Sequence, residues 1–461
     1  MKAKSTATSL EEEYIATHPT SEKLYRRARE VMPSGIEHDS RYMKPFPFYI
    51  ARADKARKWD VDGNEYIDLC SAHGAYILGH NHPDVVAAVA EQIKKGFHYS
   101  SCHESEVELA EILTRLFPCA QKVRYMQSGT EANMLAIRVA RAYTGKNKVI
   151  KFRGHFHGYW DEGMLGVKPP FDVGMSIGVP KESLSNVLLA NHNSSEDIRR
   201  FIEGSHNDVA CVIMDPICHF CTQQNRPGFL EEVRRITTDK SVVLIYDEVV
   251  SGLRLAPGGA QQVLGVVPDL ATISKTMGGG LPASAVMGRR EIMDVITFKD
   301  DPRKDRFQRV VSQGTHSANP VVFAAGLATV KILSTGEPQA HINQLGTALR
   351  KRMNEVIQKQ GIRGCVYGNW SLCRIFLGHD CSEIGKCDTA HCTYHDHEKI
   401  DDGTPTAIRN KLYLAMLQNG VDYLNGRQIM ILNAAITEED LNKIAEAFDR
   451  SLTRLKRDKV L

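Results

Sequence analysis

The chain has 461 residues, more than one hydrophobic core usually serves, so a large domain with smaller terminal parts is expected. Its 42% hydrophobic content suffices for a sizeable core and excludes a disordered chain, while 58 basic against 55 acidic residues exclude a general pull toward nucleic acid or an anionic membrane. No run of about twenty apolar residues occurs, the start leads into acidic Glu11-Glu12-Glu13 without a secretory block, and 11 scattered cysteines fit reduced thiols, so a cytoplasmic protein is expected.

Residues 10–31 read as one amphipathic helix ending before Pro33-Ser34-Gly35, and 36–70 as extended segments with a hairpin at Asp62-Gly63-Asn64. Residues 1–70 are therefore an amino-terminal arm. From 84 to 333, apolar strands such as Val209-Ala210-Cys211-Val212-Ile213-Met214 alternate with helical stretches, the pattern of a doubly wound sheet, which predicts a large α/β domain over 71–335. Ser334-Thr335-Gly336-Glu337-Pro338 is the best linker, and 336–461 read as a smaller α+β domain. Within it, Cys381, Cys387 and Cys392 share a segment with His379, His391, His395 and His397. These are zinc ligand types, but irregular gaps and the lack of a close Cys-x2-Cys pair in that segment favour a polar surface insertion, and no metal is assigned.

Two features of the large domain carry chemistry. Val123-Arg124-Tyr125-Met126 leads into Ser128-Gly129-Thr130-Glu131-Ala132 and a long helical stretch. A strand, a small-residue turn and a helix start form an anion site, because free N–H groups and the positive dipole end point at one spot; an ordinary helix cap has the same residues. Further on, Val242-Val243-Leu244-Ile245-Tyr246 delivers Asp247, and Leu270-Ala271-Thr272-Ile273-Ser274 delivers Lys275. Both read as buried parallel strands carrying one charged residue each to their carboxyl ends, where open α/β sheets place ligands. An amine and a carboxylate at one sheet edge suit pyridoxal 5'-phosphate: Lys275 forms a Schiff base with the aldehyde, and Asp247 keeps the ring nitrogen protonated.

With their neighbours these motifs resemble the class III aminotransferases of the fold type I pyridoxal phosphate enzymes, nearest the glutamate-1-semialdehyde aminomutase-like branch. The resemblance covers nearly the whole chain: Asp60-Val61-Asp62-Gly63, Leu78-Gly79-His80-Asn81-His82-Pro83, the turn from Ser128, Phe156-His157-Gly158, Asp247-Glu248-Val249, Ser274-Lys275, Gly278-Gly279-Gly280-Leu281-Pro282 and Gly314-Thr315. Order and spacing decide it, not one motif.

The resemblance implies a doubly wound, mostly parallel sheet domain with a smaller carboxy-terminal domain, and a homodimer with a shared active site. It implies that Ser128, Gly129 and Thr130 bind the cofactor phosphate, that Phe156 stacks on its ring with His157 beside it, and that Thr315 reaches the phosphate of the neighbouring subunit. Arg41 occupies the position whose arginine grips the substrate carboxylate, which suits an amino acid better than an amine. The resemblance places His73, Val311 and Gln428 on the substrate side, with His73 binding substrate, and there the chain departs from aminomutases, which carry tryptophan, tyrosine and glutamate; it departs also at Ile217-Cys218-His219-Phe220-Cys221, where the family offers an amide to the ring hydroxyl. These departures make the expected reaction transamination between an amino acid, β-amino acids included, and a 2-oxo acid. The alternatives are the aminomutase reaction and a racemase, decarboxylase or lyase on the same Lys275 and Asp247.

Overall fold

The computed structural model describes residues 8–218, 225–378 and 403–461. The Cys/His-rich stretch 379–397 lies outside the described residues. The single helix expected over 10–31 is two, α1 (Leu10–Thr17) and α2 (Pro19–Val31). The break falls at His18, with φ −131° and ψ 44°, because a residue before proline is driven from the helical region while proline itself suits a first turn. Three antiparallel strands follow, β1 (Ile50–Asp54), β2 (Arg57–Asp60) and β3 (Glu65–Asp68). The expected hairpin joins β2 to β3, with Asp60 Oδ1 accepting the amides of Asp62 and Asn64 at 3.0 and 2.8 Å.

The central sheet contains β4 (Lys122–Met126), β5 (Lys148–Phe152), β6 (Val187–Ala190), β7 (Val209–Met214), β8 (Val243–Asp247), β9 (Leu270–Ile273) and β10 (Ser284–Gly288), in the order β4-β10-β9-β8-β7-β5-β6. β10 alone runs opposite to the other six strands. Every residue of β7 to β10 is buried, as in a sheet covered on both faces. Alternate residues serve different cores: Val212, Met214, Leu244 and Tyr246 face one, Cys211, Ile213, Val243 and Ile245 the other. The second core is closed by α3 (Gly129–Thr144) through Leu135, Ala136, Val139 and Ala140.

After α4 (Pro320–Leu333) the expected linker shrinks to a turn, since Gly336, at φ 78°, caps α5 (Glu337–Gln360) with Glu337 and Pro338 already helical. Beyond lie β11 (Gly364–Tyr367), β12 (Leu372–Leu377), α6 (Thr406–Gln418), β13 (Val421–Asp422), β14 (Ile429–Ile431) and α7 (Glu438–Arg457). The order β11-β12-β14 makes a small antiparallel sheet, whereas β13 joins β3 in parallel and completes the amino-terminal sheet. The arm and the carboxy-terminal part bury one common core, in which Leu10, Tyr14, Phe46 and Tyr66 meet Leu349, Val366, Ile375, Leu412 and Phe448. Arg254, fully buried, spans the seam with the large sheet's layer: it donates to Leu432 O (2.9 Å), Gly74 O (2.8 Å) and Ser371 Oγ (3.3 Å).

Candidate active site

Asp247 is the last residue of β8, in register with Thr272 on β9, so its buried carboxylate emerges at the carboxyl edge of the sheet. Its Oδ2 accepts from Asn133 Nδ2 at 2.8 Å and from His157 Nδ1 at 2.7 Å, while Oδ1 accepts from Val249 N at 3.0 Å. Each carboxylate oxygen has two lone pairs, so Oδ1 keeps one for a further donor. Asn133 is itself oriented, since its Oδ1 accepts from Thr272 Oγ1 at 2.6 Å and its Nδ2 also donates to His157 O at 2.8 Å. Sequence reasoning missed Asn133. The available signal was a polar residue on the apolar face of α3, one turn past the anion motif.

The cap and the anion cradle turn out to be one device. Ser128 Oγ accepts from Glu131 N at 3.2 Å, and Glu131 Oε2 accepts from the amides of Gln127 and Ser128, both at 2.9 Å. This arrangement satisfies three amides, those of Gln127, Ser128 and Glu131, and leaves those of Gly129 and Thr130 without a protein acceptor among the described residues. The approach is tight: a Cβ on Gly129 would lie 2.9 Å from Val249, and one on Gly158, at φ +116°, 2.6 Å from Thr130 Oγ1. Two free amides at a helix N-terminus, with no side chain able to fill the space, fit a phosphate.

Lys275 opens a short turn after β9 with φ 47°, a left-handed backbone uncommon for lysine and typical of strained functional positions. Burial draws its amine down to about 8, against the pull of Asp247, and Arg427 pushes the same way as burial. Both ends of this pair line one cavity of about 1030 Å³, together with Ser128, Gly129, Thr130, Phe156 and His157. The structure thus brings together all of the cofactor-site residues expected from the sequence except Thr315. Thr315 is exposed and does not line this chain's cavity; its carbonyl accepts from His98 Nε2 at 2.5 Å.

The substrate side differs more from expectation. His73 lines the cavity beside His38, with ring centroids 5.1 Å apart, and burial holds its imidazole down at about 4. Arg41 does not line it, although Glu37 to Ser40 of the same turn do; its side chain is exposed. Gln428 is buried against Tyr423 and Asn425, and Val311 is exposed, so neither of these departures faces the cavity. Arg427 and Arg374, which the sequence reading did not single out, line the cavity where Arg41 does not. The Arg427 guanidinium carbon sits 5.8 Å from the Phe156 ring centroid, and burial, then Arg374, lower its pKa to about 9. Both arginines line the cavity. Nothing local in the sequence singles them out, since they come from β12 and a turn before β14.

Residues 39–386 match the family model for aminotransferase class-III. A glutamate-1-semialdehyde 2,1-aminomutase of Methanosarcina acetivorans is 37% identical over 94% of this chain and 98% of its own. Among solved structures, an omega-transaminase from Sphaerobacter thermophilus superimposes with a TM-score of 0.85 at 33% identity, covering 95% of this chain and 98% of that one. A beta-phenylalanine aminotransferase from Variovorax paradoxus gives 0.83 at 26% identity, with 97% of both chains covered. The fold agrees with these comparisons, and the chain belongs to the class III aminotransferases, fold type I enzymes whose cofactor is pyridoxal 5'-phosphate.

Proposed function

We propose that this enzyme is an aminotransferase moving an amino group between an amino acid, β-amino acids included, and a 2-oxo acid, as a cytoplasmic homodimer. The observation that carries the reading is Arg427 over the Phe156 ring, with Arg374 also lining the cavity of Lys275. A guanidinium in a partly dry cavity recognises a carboxylate through two parallel donors, so the site selects an acid that also carries an amine or carbonyl. The β-phenylalanine aminotransferase among the similar structures acts, by its name, on such a β-amino acid.

When bound, pyridoxal phosphate supplies an aldehyde that takes up amines and a ring that draws electrons from adjacent bonds. The chain's own residues do the rest. The amides of Gly129 and Thr130 and the hydroxyls of Ser128 and Thr130 bind the phosphate. Phe156 would cover a face of the ring, and Asp247, kept in position by Asn133 and His157, would hold the proton on the ring nitrogen. Lys275 Nζ is the attachment point and, with its pKa near 8, accepts the proton from the substrate carbon and returns it. His73, neutral at physiological pH, adds a hydrogen-bonding group without adding a further positive charge. Thr315 would act on the partner's phosphate, which its exposed position supports.

A second reading is favoured by a specific observation: the 37% identical relative is named for the aminomutase reaction, in which no second substrate is needed. The test is a panel of 15N-labelled amino acids with unlabelled pyruvate or 2-oxoglutarate. Label appearing in the product of the oxo acid supports transamination. Conversion of glutamate-1-semialdehyde to its isomer with no acceptor consumed replaces it with the second reading.

A further inference from the structure

Behind the cofactor cavity, His155, His192 and Cys218 converge from the loops that leave β5, β6 and β7, which are neighbours in the sheet. All are buried, at 0%, 3% and 1% exposure. His155 Nε2 lies 3.1 Å from His192 Nδ1 and 3.3 Å from Cys218 Sγ, and one ligand atom of each lies within 4.8 Å of the others. Zinc bonds to imidazole and thiolate, arranged tetrahedrally, require edges of roughly 3.3–3.6 Å between ligand atoms. The cluster is already close to that spacing. In sequence, Cys218 also begins a Cys-x2-Cys pair with Cys221, the spacing of structural zinc sites, although Cys221 lies outside the described residues.

We propose that His155, His192 and Cys218 bind a zinc ion once Cys218 is reduced. In the structure Cys218 is disulfide-bonded, contrary to the expectation of reduced thiols throughout, and Asp215 N donates to His155 Nδ1 at 3.2 Å. That bond places the neutral ring's proton on Nε2. Metal uptake therefore has two prerequisites. A thiol reductant delivers two electrons to the disulfide, which becomes two thiols while the reductant leaves as its own disulfide. The imidazole proton then moves from Nε2 to Nδ1, giving up the Asp215 bond, and the Cys218 thiol releases its proton as sulfur bonds the metal. The site is gated by redox state and strengthens as pH rises.

Its position gives it a purpose. His155 stands two residues before His157, which holds Asp247, and Ile217 and Cys218 line the cofactor cavity. A metal there pins the loop that presents Phe156 and His157, and acts by positioning rather than by touching the reacting atoms.

The test uses full-length, tag-free holoprotein, reduced with a phosphine, stripped by chelator and titrated with cobalt(II), then zinc. The expected result is about one equivalent of cobalt per chain, with a sulfur-to-metal charge-transfer band, displaced by zinc, and no uptake by protein left oxidised. Cys218→Ser should abolish the sulfur band, and His192→Gln should weaken uptake at least about tenfold. Absence of uptake by reduced parent protein overturns the proposal. So does uptake that survives both substitutions, which would assign the metal to other ligands such as the 379–397 segment. Should either variant fail to fold by circular dichroism, the parent's sulfur band and its dependence on reduction decide.

Discussion

His157 Nδ1 stands 2.7 Å from Asp247 Oδ2, with both side chains buried, so the carboxylate proposed to meet the cofactor ring is aimed by a side chain from a different strand end. A hydrogen bond to a charged group contributes about 1.5–3 kcal/mol. His157→Ala or Asn133→Ala should therefore lower kcat by about 10- to 100-fold, with the fold retained by circular dichroism. Asp247→Asn should be far worse, since a neutral amide cannot hold the ring nitrogen protonated. Near-parental turnover in Asp247→Asn would place the electron-sink role elsewhere.

Lys275→Ala should lose both covalent cofactor attachment and turnover. Mass spectrometry after borohydride reduction of the parent is expected to find the cofactor on Lys275. A label on another lysine would refute the assignment.

Burial lowers the Lys275 amine from 10.5 to about 8. The rate of cofactor attachment to apoprotein should rise with pH and level off above about pH 8, because only the neutral amine attacks an aldehyde. The same shift affects stability. Between about 8 and 10.5 the unfolded chain binds more protons at this lysine than the folded chain, so its contribution to apoprotein stability increases with pH across that window. In Lys275→Met this increment should vanish from denaturant titrations run at several pH values.

Gly158→Ala should empty the cradle. Its Cβ would press on Thr130 Oγ1 at 2.6 Å from a backbone at φ +116°. Cofactor retention after dialysis should fall sharply. Gly204→Ala, a helical position with nothing within 4 Å of the new Cβ, should retain cofactor like the parent.

Arg427→Ala should lose about 2–5 kcal/mol of kcat/KM for an amino acid, and Arg427→Lys should recover only part. The decarboxylated amine should be insensitive. Arg41→Ala should have the smaller effect, because Arg41 lies off the cavity wall of this chain. Equal losses for acid and amine in Arg427→Ala would make this arginine a support for its turn and would remove the basis for an acid substrate.

What was legible in the sequence was whatever a buried parallel strand announces. The uninterrupted apolar runs before Asp247 and Lys275 could be read because both faces of those strands are covered, and the anion motif because strand, turn and helix follow one another directly. Proximity created by long-range packing was not legible. Asn133 reaches Asp247 across 114 residues of chain, and Arg427 reaches Phe156 from the carboxy-terminal part of the sequence. Arg41 was expected at the substrate because its motif position matched, yet a short turn at the surface does not fix where a long side chain points. The break at His18 was missed because amphipathic periodicity runs through a proline that still forbids helix in the residue before it.

Arg254 ties the sheet layer to the carboxy-terminal layer. Burial lowers its guanidinium to about 10, so it stays charged at physiological pH, held by acceptors from three separate segments, Gly74, Ser371 and Leu432. Parting those segments would strand a charge in a dry interior, at a cost of several kcal/mol. This arrangement opposes a hinge between the sheet layer and the carboxy-terminal layer. Exchange of one substrate for the next is left to the loops around the mouth, such as Glu37–Ser40 and Gly368–Trp370, and turnover in a viscous medium should report their motion rather than a domain closure.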